Sequence, residues 1–437
     1  MCKKIIKINA LVVLSIIVGL FSIYNKLSIA LIIALIASII FINYRKPELI
    51  IIFIIIINEN LLRLSSINIT SLVAILSIII FIVKFKSIVK KRYIFKNYII
   101  TLMVICGISQ IGAYFAFGQN LKYGILGMHH IFIYLFYFYF VDFFNKERKR
   151  DLRNNVKNII IYMGTTLSIL YLIQAIIYPK VVIFNMSYAF RGGSVRFFTG
   201  YVFIMFSIVI IYSKLLTKFE RKYFLHILIQ IVSLVVVSQT RNFILGVLIV
   251  IVYGLFMSKK INKVWLVYTL ITAIFIYMLM FSNESNFLNE VINSVLIEIK
   301  TKTGNIGVRY LELEYYMNLL KDNLISGIGL LDTRYYLTPI ITGYDPYLYF
   351  VGDLGLIGVV IQTGVLGGIW MLAFFNKMYI VSKKNLSNDT ENSYLLRLTL
   401  ILIVGVFASG LIFDKNSILY ICMILGIVEP YYCKNED

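Results

Sequence analysis

The sequence predicts an all-α polytopic integral membrane protein. It reads as a single transmembrane helical domain over residues 1–437, with about 12–14 spans and one large extracytoplasmic loop that contains short helices. Three observations predict this class. The chain is 60% hydrophobic and only 14% charged, with a mean hydropathy of +0.87, whereas soluble domains carry roughly a quarter charged residues. Its apolar runs are mostly about 17 to 22 residues long, which suits helices that cross a bilayer rather than barrel strands. One polar interval, residues 283–350, interrupts the pattern and is far longer than an ordinary connection.

Taken in order, the chain starts with Lys3, Lys4 and Lys7 ahead of an apolar run from Ile8 to Tyr24. No small-residue cleavage site follows, so this run reads as an uncleaved signal-anchor. Fourteen spans are expected, near 8–24, 27–44, 47–59, 67–83, 97–117, 123–144, 157–178, 198–216, 223–238, 242–257, 264–282, 351–375, 394–413 and 416–431. The third is short enough to be re-entrant. With the N-terminus in the cytoplasm, the inner loops collect Arg45-Lys46 and the runs Lys84 to Lys96, Asn145 to Lys157, Ser213 to Lys222 and Ser258 to Lys263. About 29 of the 42 Lys+Arg then lie inside, the bias of the positive-inside rule. Both termini are expected in the cytoplasm and the large loop outside.

The formal net charge of +21 does not imply a nucleic-acid partner, because the charges sit in short loops and form no stripe. The cysteines are Cys2, Cys106, Cys422 and Cys433; none lies in the large loop and no CxxC or Cys/His cluster occurs, so neither a disulfide framework nor a zinc site is implied. Absent too are a Walker loop, a Rossmann glycine pattern, HExxH and an outer Asp-x-Asp pair. No metal and no cofactor are expected.

The stretch from Tyr223 to Met257 is too long for one crossing and fits two short helices. Their turn, Ser238-Gln239-Thr240-Arg241-Asn242, should then sit recessed below the outer surface. A charge at that depth needs a polar cavity or an anion, so Arg241 is expected to face a crater under the large loop. Within the loop, Leu288, Val291, Ile292, Val295 and Ile299 have the spacing of an amphipathic helix. A breaker, Thr303-Gly304-Asn305-Ile306-Gly307, precedes a second helix from about Val308 to Leu320, with Leu313, Met317 and Leu320 as its apolar edge. Arg309 and Glu312 lie three apart on it. Ser326-Gly327-Ile328-Gly329 turns the chain back.

Six arginines fall outside: Arg63, Arg191, Arg196, Arg241, Arg309 and Arg334. A guanidinium keeps its charge and grips phosphate with a planar fork. Arg191, Arg196, Arg241, Arg309 and Arg334 are therefore candidates for binding a diphosphate; the plainer reading pairs them with Glu312, Asp332 or Asp345. Asp345, just before the returning span, and Asp353, one turn into it, are candidate catalytic bases. Their plainer roles are a turn residue before Pro346 and a charge at a helix start. His129 and His130 suit hydrogen-bonded packing better than catalysis. The loop tyrosines could stack on sugar rings or form an interfacial belt.

Four segments, in order, resemble the O-antigen polymerase/O-antigen ligase superfamily of bacterial polysaccharide assembly. They are Arg191 to Gly200 (RGGSVRFFTG), Ser238-Gln239-Thr240-Arg241, Gly307-Val308-Arg309 followed by Asn323 to Gly329 (NLISGIG), and Tyr347 to Gly358 (YLYFVGDLGLIG). Ligases of the superfamily carry a histidine near the end of the large loop; here that region reads Tyr344-Asp345-Pro346, which favours the polymerase branch. The resemblance implies a metal-independent glycosyltransferase of the bacterial cytoplasmic membrane. It would join polyprenyl-diphosphate-linked oligosaccharide repeat units at the outer face, for O-antigen, capsule or exopolysaccharide. The bilayer, a chain-length regulator and a flippase are the implied partners. Arg241, Arg309 and Arg196 would hold the diphosphate, with Asp345 or Asp353 as base. The rival readings are a ligase-like glycan transferase and, in another class, a lipid-linked oligosaccharide flippase.

Overall fold

A computed structural model describes residues 49–59, 69–145, 150–182, 189–191, 194–197, 199–257, 297, 300–301, 304–345, 347–384 and 389–432. The expected spans 8–24, 27–44 and 264–282, the expected helix over 288–299 apart from Ile297, and Arg63 lie outside those residues. The described chain is largely helical: α1 (Leu49–Asn58), α2 (Ile69–Lys90), α3 (Lys96–Phe117), α4 (Leu121–Gly127), α5 (Phe136–Asn145), α6 (Arg150–Ile177), α7 (Tyr201–Thr217), α8 (Arg221–Ser233) and α9 (Arg241–Met257). Then follow α10 (Gly304–Asp322), the short α11 (Thr338–Ile341), α12 (Gly355–Lys384), α13 (Thr390–Gly405) and α14 (Ile418–Tyr432). A two-stranded antiparallel ribbon, β1 (Ala189–Arg191) and β2 (Ser194–Arg196), is the one sheet among the described residues.

Among the described residues, five helices are long and apolar enough to cross a membrane, or six if one bent pair is a single span. This suits a multi-pass membrane protein. Helix α7 explains the arrangement. Every side chain from Tyr201 to Leu216 is buried; a helix apolar on all sides belongs at the centre of a bundle. Helices α6, α8, α9 and α13 pack around it, and α14 packs along α5. The outer helices leave Val83, Phe115, Ile176 and Phe256 exposed. Such side chains are uncomfortable in water and natural against lipid.

Short connections make neighbouring helices antiparallel, so the bundle has two distinct ends. At one, Lys157 at the start of α6 meets Glu391 and Asn392 at the start of α13, at 2.8 and 2.5 Å. Lys214 near the end of α7 lies 3.6 Å from the same Glu391. Also at this end, Lys91 and Lys84 pair with Asp142, the last turn of α5, at 2.8 and 3.1 Å. The other end gathers the start of α9, the start of α12, the end of α13 and the start of α14.

At that second end the large loop is locked to the bundle by a broken helix. Gly364, inside α12, has φ 68 and ψ −165. The break strips the Ile361 and Gln362 carbonyls of their helical N–H donors, and buried backbone groups must bond elsewhere. Ile328 N–H donates to the Ile361 carbonyl at 2.9 Å and Gly329 N–H to the Gln362 carbonyl at 3.0 Å. Val365 N–H returns a bond to the Leu324 carbonyl at 2.9 Å. The Ser326–Gly329 turn thus replaces the missing rung. Only glycine fits: Gly327 has φ 69, and a Cβ on it would lie 2.5 Å from the Gln362 carbonyl carbon. A Cβ on Gly364 would lie 2.1 Å from the Ile325 oxygen.

Several expectations need correction. The span expected at 123–144 is broken: α4 ends at Gly127, residues His129–Leu135 form a 3-10 turn, and the two parts bend by 57°. The loop helix starts at Gly304, so Gly304 to Gly307 open it rather than break the chain. Its buried edge is Glu312, Tyr316 and Leu320, while Met317 is exposed. This helix packs against Ile328, Leu354 and Ile361, which select that face. Helix α12 runs on to Lys384, and α13 stops at Gly405. The two-helix reading of Tyr223 to Met257 matches closely: α8 closes with a π turn, Leu234–Ser238, and α9 begins at Arg241.

Substituting Gly364→Ala should lower stability by about 2–4 kcal/mol, from steric overlap plus left-handed strain. Thermal unfolding in detergent, with Gly368→Ala as a tolerated control (its Cβ meets only Val360, at 3.4 Å), checks this.

Candidate functional site

A cavity of about 440 Å³ opens at the end of the bundle that carries the large loop. Most of its polar lining comes from three places far apart in sequence, with His130, Val202 and Phe243 adding to the wall. Helix α10 supplies Arg309, the first turn into α12 supplies Gly352 and Asp353, and the connection from α13 to α14 supplies Ser409, Asp414 and Asn416. Two left-handed glycines let the last two walls touch: Gly355 has φ 57 and Gly410 φ 52. A Cβ on Gly355 would lie 1.8 Å from the Phe407 oxygen.

Arg309 is exposed, and among the described residues no ion pair holds it. Its neighbour one turn on, Glu312, is buried at 1% exposure. Glu312 Oε1 accepts from the Phe350 N–H at 3.2 Å, and Oε2 has no partner. Burial raises the Glu312 carboxyl, Phe350 N–H lowers it, nearby Asp353 raises it and Arg309 lowers it. The side chain thus ties α10 to the segment that enters the cavity at Val351.

Asp414 lies in the connection between α13 and α14. Burial pushes its carboxyl up to about 6, against the opposing pull of its hydrogen bond with Asn416 and the charge of Lys415. Beneath it runs a polar network. Asn416 Nδ2 donates to Asp414 Oδ1 at 3.4 Å. Asn58 Nδ2 donates to the Asn416 carbonyl at 3.3 Å and to Glu59 Oε1 at 3.2 Å. The Tyr420 hydroxyl also donates to Glu59. The end of α1 is thereby pinned under a loop more than 350 residues away.

Of the residues singled out from sequence, the cavity brings together Arg309 and Asp353, and adds His130. His129 instead hydrogen-bonds the Leu126 carbonyl through Nδ1 at 2.5 Å, with Nε2 buried and unpartnered. Arg241 heads α9 as an exposed side chain outside the cavity wall. Next to it, Asn242 donates to Ser409 Oγ at 2.6 Å, so the turn abuts the wall. Ser238 and Gln239 of that turn are buried, as a recessed turn requires.

Arg196 has a different task. Its Nε donates to the Ser238 carbonyl at 2.9 Å and its Nη2 to Thr240 Oγ1 at 3.4 Å. It fastens the β ribbon to the α8–α9 turn. Arg191 stands opposite Ser194 in that ribbon. Arg334 is clamped to Asp332 by both Nε and Nη2, at 2.8 and 2.7 Å, and its guanidinium holds the Asp332 carboxyl below the usual carboxylate range. Asp345 is exposed in a turn of the loop, outside the cavity wall.

Sequence reasoning missed Asp414, Asn416, Ser409 and Gln362. The signal for Asp414 was a charge, Phe413-Asp414-Lys415-Asn416, squeezed into a tight turn between two apolar runs. No comparable signal marks Ser409 or Gln362. Neither a protein-family model nor a curated protein matches the chain, so the resemblance to polysaccharide polymerases rests on its motifs.

Arg196→Ala should destabilise the fold by about 1–3 kcal/mol, because buried acceptors at Ser238 lose their donor. Arg309→Ala should leave stability within about 0.5 kcal/mol, as expected for an exposed side chain. Paired thermal melts of the two variants test this division between a fastening and an available arginine.

Proposed function

We propose that this chain is a polysaccharide repeat-unit polymerase of the bacterial cytoplasmic membrane, acting on polyprenyl-diphosphate-linked oligosaccharides. The observation that carries the reading is one cavity in which an uncommitted guanidinium, Arg309, faces the carboxyl groups of Asp353 and Asp414. The motif resemblance points the same way. The lysine clusters at the opposite end of the bundle, around Asp142 and Glu391, suit the cytoplasmic side. The cavity then opens outward.

A hydroxyl oxygen of the acceptor repeat unit attacks the anomeric carbon of the donor glycan. The bond from that carbon to the diphosphate breaks, and the diphosphate leaves with the electron pair. Arg309 meets the negative charge that grows on it, a preorganised cation where charge develops. Asp414 takes the hydroxyl proton. Its carboxyl, pushed up to about 6, is a stronger base than an ordinary carboxylate and is still ionised near pH 7. Asp353, on the wall entered from Phe350, orients sugar hydroxyls. Arg241 adds positive charge beside the rim, and Arg196 holds the turn that carries it.

Purified protein with a synthetic lipid-linked repeat unit, followed by mass analysis of products, tests the reading. Arg309→Ala should reduce turnover by about 10²–10³-fold; wild-type chain lengths from this variant would sink the proposal. The rate should rise with pH through about 6 and level off above it, because the base must be deprotonated to work. Asp414→Asn should lose about 10²–10⁴-fold and abolish that acid limb.

A further inference from the structure

Four aromatic side chains stand on the loop just before the cavity. Tyr347 and Tyr349 are stacked, with ring centroids 5.4 Å apart and planes 17° apart. Tyr315 of α10 leans on both, at 6.4 and 5.4 Å. Tyr344 meets Phe350 edge-on at 5.2 Å. The rings are therefore braced from behind, yet Tyr347 is 59% exposed, Phe350 49% and Tyr344 45%. A braced aromatic loses little freedom on binding, which is what a contact surface needs.

The backbone is bent to hold them so. Leu348 has φ 56, a left-handed conformation that a bulky residue adopts only under constraint. Two bonds supply the constraint: Leu348 N–H to the Tyr344 carbonyl at 2.9 Å, and Tyr349 N–H to the Gly343 carbonyl at 2.9 Å. The Tyr315 hydroxyl adds bonds to the Ile340 and Ile341 carbonyls at 3.2 and 3.1 Å, fixing α10 against the same turn.

Chemistry and position together select the occupant. Tyr349 and Asp353 of the cavity wall are four positions apart, at most about 14 Å of chain. An exposed carboxylate, Asp345, sits in the turn between Tyr344 and Tyr347. A charge in the middle of the patch opposes burial in a bilayer. It suits a hydrated ligand that has C–H faces for the rings and hydroxyls for the phenols and the carboxylate. A saccharide has both.

We propose that Tyr344, Tyr347, Tyr349 and Phe350 form a saccharide-binding platform that carries the sugar rings of a glycan whose end lies in the cavity. The inference rests on the polymerase reading for its substrate and deepens it: the platform holds several units of the chain, and Asp345 binds hydroxyls there instead of serving as base.

A binding experiment that needs no turnover tests it. The probe is the oligosaccharide released by mild acid from the lipid-linked pool of cells lacking the protein. Saturation-transfer NMR on the full chain in lipid nanodiscs reads its binding. The double variant Tyr344→Ala/Tyr347→Ala should bind about tenfold more weakly than wild type. Equal affinity in the double variant, with its thermal melt unchanged, would overturn the platform. So would a wild type that gives no saturation transfer. An equal affinity accompanied by weaker retention in nanodiscs would also overturn it and assign the patch to the bilayer. The polymerase reading fails separately, when wild type binds the saccharide but makes no longer product from the intact lipid-linked substrate.

Discussion

A helix that is interrupted inside a bundle leaves backbone groups that must be bonded, and this requirement organises the end of the molecule that carries the cavity. In α12 the interruption is at Gly364, and the bonds come from the Ser326–Gly329 turn of the large loop. Ser109 of α3 joins in, donating to the Gln362 carbonyl at 2.5 Å. The loop is consequently not a lid resting on the bundle; it is part of the backbone hydrogen bonding of α12. Helix α10 is carried with it, because Tyr316 bonds the Thr342 carbonyl at 2.6 Å and Glu312 bonds Phe350. Arg309 is thereby held over a wall made by residues some 100 positions further along the chain.

Charge is divided between the two ends according to what each must do. Among the described residues, the two buried lysines at one end, Lys157 and Lys214, share Glu391, and Asp142 takes the more exposed Lys84 and Lys91. Burying such groups is costly unless they are paired, so these sites close the bundle. At the other end the pairing is incomplete. Arg334 is satisfied by Asp332, but Arg309 faces a cavity and Glu312 keeps an unpartnered oxygen. Incomplete pairing beside a cavity is where a charged ligand finds its partners. The same end holds the network from Asp414 through Asn416 and Asn58 to Glu59, which fixes the carboxylate that faces the cavity.

Much of the helical pattern was legible in the sequence because it depends on local properties. Apolar run length places α3, α8 and α9 almost residue for residue, and the length of the Tyr223–Met257 stretch forces the turn at Ser238–Asn242. Arg309 and Asp353 were recognisable as charges at the margins of apolar segments. Other features were not legible. The burial of Glu312 and Tyr316, in place of Met317, follows from what α10 packs against. The bend at Met128 lies beside the close approach of Gly127 to the Leu330 carbonyl, a contact no periodicity records. Arg196 and Arg334 carry the same charge as Arg309, and only their neighbours show that they are already engaged.

By itself, then, the sequence determined that the chain is a set of apolar helices with a long polar loop, and which end of each helix carries the lysines. Those properties are written in composition and run length, and they hold whatever the helices touch. The tertiary structure decided which arginine is available, which carboxylate lies in the cavity, and that the Gly-x-Gly turn completes a broken helix. The reason is that availability, burial and backbone satisfaction are properties of pairs of groups, and the members of these pairs lie from two to more than 350 residues apart.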